Sequence, residues 1–80
     1  MNIERLCTMV NDIAHFFAVE PDRAVGVAGV AEHLRKFWDP RMRKQIIAHL
    51  GEGGEGLEPL ARDAVAALAQ AALAQEQRSR

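Results

Sequence analysis

Eighty residues suffice for one small domain and leave no room for a second core. Apolar residues make up 49% and charged ones 26%, with a net charge of −1, the balance of an ordinary globular domain without the basic excess of a nucleic-acid binder. A single cysteine, Cys7, excludes an internal disulfide, and no apolar run approaches the roughly 20 residues that span a bilayer.

A chain this short buries a modest share of its surface, so its stability margin is thin. With no disulfide, tight helical packing or a partner must supply the remainder. The opening MNIERL, with Glu4 and Arg5 in the first turns, lacks the basic start and apolar run of an export signal. Together with the lone thiol it sets the expectation of a reducing cytoplasm.

Four segments carry a helical period, so the expected fold is all-α: one domain over 1–80, a small bundle of four short helices at about 2–19, 22–37, 40–50 and 59–77. In the first helix, Ile3, Leu6, Cys7, Val10, Ile13, Ala14 and Phe17 recur at three and four and form one stripe. Glu4, Thr8, Asn11, Asp12 and His15 fall opposite, and Met9 and Phe16 sit on an exposed shoulder. Pro21 stops the helix.

Asp22 supplies N-cap chemistry for the second helix. Val27, Ala28, Ala31, Leu34 and Trp38 form one apolar stripe, and Val30, Phe37 and the bare backbone of Gly26 form another. A helix apolar on more than one side is central, or becomes so when a partner covers it. Gly26 and Gly29 each cost about 1 kcal/mol relative to alanine inside a helix, so close approach by a neighbouring helix is expected there.

Asp39-Pro40 opens the third helix as N-cap and first helical residue. Met42, Ile46, Ile47 and Leu50 make its apolar face, and Gly51 is expected to end it in the left-handed region. The run GEGGEG, within a loop at 51–58, reads as a flexible connection. It lacks the lysine and Ser/Thr of a phosphate loop, and Glu52 and Glu55 would repel phosphate. The fourth helix starts at Pro59, with Leu60, Ala64, Val65, Leu68 and Ala72 on one face. Its end is rich in alanine, which favours helix but buries little area, so 75–80 is expected to fray.

No catalytic constellation and no metal set stands out. Cys7, His15, His33 and His49 have neither CxxC nor HxxxH spacing. Cys7 lies on the apolar stripe and reads as a buried, inert thiol. Each histidine sits on a helix away from any nucleophile. His33, between Val30 and Phe37, is the histidine placed to touch a partner.

Charge carries more information. Arg35, Lys36, Arg41, Arg43 and Lys44 fall within ten residues, with Asp39 as the lone acid and Phe37 and Trp38 embedded among them. Tryptophan and arginine are enriched at interface hot spots. Three readings remain open: a solvated basic face beside core aromatics, a docking surface for an acidic partner, or a nucleic-acid contact of a small helical regulator. Arg43 falls inside the apolar face of the third helix, where a charge is costly unless paired. Asp39, one turn earlier, or a carboxylate on a partner could pair it, the latter in the bidentate way arginine favours.

The order of residues adds a resemblance. Met1-Asn2-Ile3, Asn11-Asp12-Ile13-Ala14, Phe16-Phe17, Pro21-Asp22-Arg23, the block His33-Leu34-Arg35-Lys36-Phe37-Trp38-Asp39-Pro40-Arg41-Met42-Arg43, and Gly53-Gly54-Glu55-Gly56-Leu57 before Pro59-Leu60 together resemble the delta subunit of NAD-dependent, molybdenum-containing formate dehydrogenases. The resemblance covers residues 1 to about 68. It implies a non-catalytic accessory subunit with no activity of its own, in a cytoplasmic complex that oxidises formate to carbon dioxide and reduces NAD. The complex is implied to carry molybdenum bis-guanine-dinucleotide, iron–sulfur clusters, flavin and NAD, none bound by this chain. One cysteine cannot supply the usual thiolate set of a cluster. The implied partner is the large catalytic subunit, and the implied role is assembly, stability or retention of the molybdenum cofactor. No membrane or nucleic-acid partner is expected, and an isolated chain could self-associate through an uncovered apolar face. Glu58 departs from the pattern, since Ser or a similar N-cap is expected before Pro59. The residues expected to bind the partner are Phe37, Trp38, Arg41, Arg43, Lys44, His33, Met9 and Phe16.

Overall fold

A computed structural model describes residues 2–78. Asn2 is extended, and its side chain accepts from the Glu4 N–H at 2.8 Å, satisfying a free amide at the start of α1 (Ile3–Phe17). The helix is slightly shorter than the 2–19 expected, with Asn2 as its cap and Ala18 closing it. Asp22 likewise caps α2 (Arg23–Phe37) through the Ala24 N–H, and Asp39 caps α3 (Pro40–Gly51) through the Met42 N–H at 2.9 Å. The fourth helix, α4, spans Pro59–Arg78. These four helices, with no strand among the described residues, make the expected small all-α bundle.

The expected end of α3 is corrected in detail. Gly51 stays within the helix, Glu52 is the C-cap, and the left-handed region is taken by Gly53 (φ 120°), Gly54 (φ 65°) and Gly56 (φ 94°). The alanine-rich end of α4 continues as helix to Arg78; the rest of the expected frayed tail, 79–80, lies outside the described residues.

Packing runs round the bundle in the order α1, α2, α4, α3. The α2–α4 pair is the most extensive, α1 and α4 meet across the diagonal, and α2 and α3 make little direct contact although consecutive. The core is Leu6, Val10, Val30, Leu34, Ile46 and Val65, all fully buried, with Cys7, Ala14, Trp38, Leu57, Ala61, Ala64 and Leu68 completing it. Full burial of each branched side chain contributes about 1.5–3 kcal/mol. Gly26 and Gly29 meet the end of α1, as their cost implied. A Cβ on Gly29 would stand 2.5 Å from the Phe17 ring, and one on Gly26 3.2 Å from the Phe17 carbonyl oxygen.

The Gly-rich connection is a tight, hydrogen-bonded loop. Leu57 is buried and its N–H donates to the Gly54 carbonyl, while Arg62 of α4 donates to the carbonyls of Gly53 and Gly54 at 2.8 and 3.0 Å. Asn11 fastens the loop to α1: its Nδ2 donates to the Gly56 carbonyl at 2.8 Å, and its Oδ1 accepts from the Glu58 N–H at 2.9 Å. That second bond holds the residue just before Pro59 against α1, so it fixes where α4 starts. Replacing Asn11 with alanine removes both bonds at a partly solvated site. We expect a loss of about 1–2 kcal/mol, with Asn11→Asp, which retains the acceptor, losing less. Urea denaturation of the two variants checks both values; equal stability of wild type and Asn11→Ala would deny the latch.

Candidate interaction surface

The residues expected to meet a partner separate into three groups. The first is internal. Trp38 is only 5% exposed and belongs to the core, so its ring is not on the surface of the isolated chain. It is the C-cap of α2, its N–H donating to the Leu34 carbonyl, and the extended backbone there turns the indole inward. Arg43 is internal in its bonding as well. Its Nη1 donates to the Arg35 and Trp38 carbonyls at 3.0 and 2.5 Å, so the half-buried charge on the apolar face of α3 is bonded to free carbonyls at the end of α2. Asp39, a candidate partner for Arg43 from the sequence, caps α3 instead.

The second group lies along the seam between α1 and α2. On α1, Met9, Ile13 and Phe16 follow one another at four and three; on α2, Gly29, His33 and Phe37 follow at four. Phe17 on Gly29 sets the α2 row against α1, and Phe16 of the α1 row stands against Phe17. Met9 and Ile13 are half-buried, short of the exposure expected for Met9. Phe16 is 74% and Phe37 72% exposed. Each ring rests on a neighbour: Phe16 stands edge-on to Phe17 with centroids 5.2 Å apart, and Phe37 is tilted against His33 at 4.8 Å. Arg41 is exposed at the start of α3, four residues beyond Phe37, and has no ion pair among the described residues.

Lys44 forms the third group. It lines a separate groove between α3 and α4, beside Ile47, Ala72 and Leu73. The basic run therefore does not act as one patch. Arg35 is bound by Glu32 at 2.6 Å, with Lys36 at 3.8 Å from the same carboxylate, and Arg43 is spent on carbonyls. Glu32 is held below the usual carboxylate range, chiefly by the Arg35 hydrogen bond. Among the described residues, Arg41 and Lys44 of the run make no ion pair, and they stand on different surfaces, which is a weak footprint for nucleic acid.

Two of the soft ligands, Cys7 and His49, converge on one backbone carbonyl, and His15 bonds elsewhere. Burial, and secondarily Glu4, push the Cys7 thiol up, and its Sγ donates to the Glu55 carbonyl at 3.7 Å. His49 Nε2 donates to the same carbonyl oxygen at 2.7 Å, and His15 Nε2 meets Glu58 Oε1 at 2.8 Å. Among the described residues no three His, Cys, Asp or Glu side chains gather into a metal-binding group, so this donor set does not fit a molybdenum or iron–sulfur centre. No helix among the described residues is long and apolar enough to cross a membrane.

The His15–Glu58 contact gives a pH dependence. The hydrogen bond that His15 donates to Glu58, then the charge of Glu58, raise the His15 pKa above its ordinary value. A raised folded-state pKa stabilises fully below the unfolded value near about 6.5 and loses that contribution as pH rises through the folded value. The melting-temperature gap between wild type and His15→Gln is therefore expected to be widest near about pH 5.5 and to narrow towards about pH 8.5. A gap that is constant across this range would contradict the assignment.

No curated protein and no solved structure matches the chain. The family described as the NADH-dependent formate dehydrogenase delta subunit, FdsD, matches residues 5–65, which takes in most of α1, all of α2 and α3, the Asn11-latched loop and the first turns of α4. That span covers most of the chain and both rows of the aromatic seam, and the chain belongs to the formate dehydrogenase delta-subunit family.

Proposed function

We propose that this chain is a non-catalytic cytoplasmic subunit that binds the molybdenum-containing catalytic subunit of its formate dehydrogenase through the α1–α2 seam. Phe37 and His33 form the centre, Phe16 and Met9 extend it along α1, and Arg41 stands at the rim for a carboxylate of the partner. Trp38 and Arg43 act from inside, by setting where Phe37 and Arg41 project. The observation that carries this reading is the pair of exposed phenylalanines on one seam of a domain with little apolar area to spare. Each would gain about 1.5–3 kcal/mol from burial. A partner that covers the seam also stabilises this chain, so binding supports assembly, steady-state stability or retention of the molybdenum cofactor in the complex. The complex's cofactors would reside on its other subunits. The test is co-purification: the tagged chain should bring down the catalytic subunit, and Phe37→Ser or Arg41→Glu should weaken that recovery. Recovery of the wild-type chain alone would contradict the proposal.

A further inference from the structure

On the far side of the bundle from the α1–α2 seam, α3 and α4 leave an open groove. On α3 its wall is Lys44, Ile47 and Ala48; on α4 it is Ala69, Ala72, Leu73, Gln75 and Glu76, at spacings that place all but Gln75 on one helical face. Ile47 is half-buried and Leu73 is 51% exposed. From residue 70 onward α4 is exposed. A helix of this length is about 30 Å long, so its end projects along the groove beyond the buried core. That projecting end lies outside the span shared with the delta-subunit family.

The charges identify an occupant. Lys44 stands on one wall and Glu76 on the other, both exposed and neither in an ion pair among the described residues. A twofold interface brings the same patch of two copies together, so that residue i of one meets residue j of the other, twice. One cation and one anion across an apolar floor are self-complementary under that operation. We infer that the α3–α4 groove is the self-association surface of this chain: the end of α4 of one copy lies antiparallel against that of the second, each Leu73 enters the other copy's groove, and each Lys44 meets the other copy's Glu76. The small alanine side chains let the two helix backbones approach closely. Because the α1–α2 seam is on the opposite side, the dimer leaves two seams open. The inference stands whether or not the seam binds a catalytic subunit.

Sedimentation equilibrium of the full chain tests it. Wild type should associate reversibly in the micromolar range. Lys44→Glu and Glu76→Lys each replace two attractive contacts per dimer with two repulsive ones, and each alone should weaken association by about tenfold. An equimolar mixture of the two variants restores both attractive pairs between unlike chains, so it should associate at least as tightly as wild type. Both positions are exposed, so the helix content of the variants should match wild type by circular dichroism. A wild-type chain that stays monomeric, a dimer indifferent to the single reversals, or a mixture no tighter than its separate components would overturn the inference.

Discussion

Trp38→Ala will destabilise the isolated chain by about 3–5 kcal/mol, whereas Phe37→Ser, one residue away, will change its stability little. The indole is 5% exposed in a core shared by all four helices, and truncation leaves a cavity that a small bundle cannot refill. A domain of this length holds about 4–12 kcal/mol in total, so the loss takes a large part of the margin. Phe37 is 72% exposed and rests on His33 alone among aromatic neighbours. Its removal forfeits one ring contact while relieving an exposed apolar surface. The pair separates two ways of losing a complex. Trp38→Ala should abolish recovery of the partner because the subunit unfolds, and Phe37→Ser should weaken recovery while the melting curve stays in place. Chemical denaturation beside the pull-down distinguishes them; a Trp38→Ala variant as stable as wild type would remove the indole from the core.

Arg43→Met will cost the isolated chain about 2 kcal/mol. Methionine keeps much of the apolar stem and removes the guanidinium that donates to the Arg35 and Trp38 carbonyls. The Trp38 carbonyl is partly buried and bears most of the loss, because water replaces the arginine more readily at the exposed Arg35 carbonyl. The effect is larger than one surface hydrogen bond because α2 and α3 make little other contact, so Arg43 fixes the angle at which α3 leaves Trp38. Arg43→Lys should recover part of the stability, since an ammonium still donates but on a shorter, more flexible stem. Had Arg43 faced a partner's carboxylate, Arg43→Met would leave the free chain's stability untouched and lower only its binding. Urea unfolding of the free chain decides between the two.

The helices were readable from periodicity and punctuation because both are local. Pro21, the Asp39-Pro40 pair and Pro59 fixed three boundaries closely, and Gly26 and Gly29 announced a close helix approach before Phe17 could be placed against them. What the sequence hid is long-range. Trp38 and Phe37 are adjacent and both apolar, and helical phase alone does not tell which is covered; the extended backbone at the end of α2 turns one inward and leaves the other out. Arg43 looked like a charge awaiting a carboxylate because a wheel shows side chains and not the free carbonyls of the preceding helix. Asn11 falls on the polar face of α1, yet it holds the loop on both sides of Leu57 across more than forty residues of chain. Four glycines within six residues suggested slack, but three of them serve positive φ in a tight turn. The basic run lost its unity for a similar reason: Glu32 and two carbonyl oxygens occupy three of its five cations.

The central claim, an accessory subunit acting by contact, is tested most directly by deleting this chain and measuring molybdenum content and subunit composition of the purified formate dehydrogenase together. The account predicts a complex that loses molybdenum, associated subunits or both, restored by the wild-type chain and poorly by Phe37→Ser. Loss of metal with the remaining subunits still together would assign cofactor retention, and dissociation would assign a structural clamp. A complex with unchanged metal, composition and formate oxidation in the absence of this chain would contradict the account.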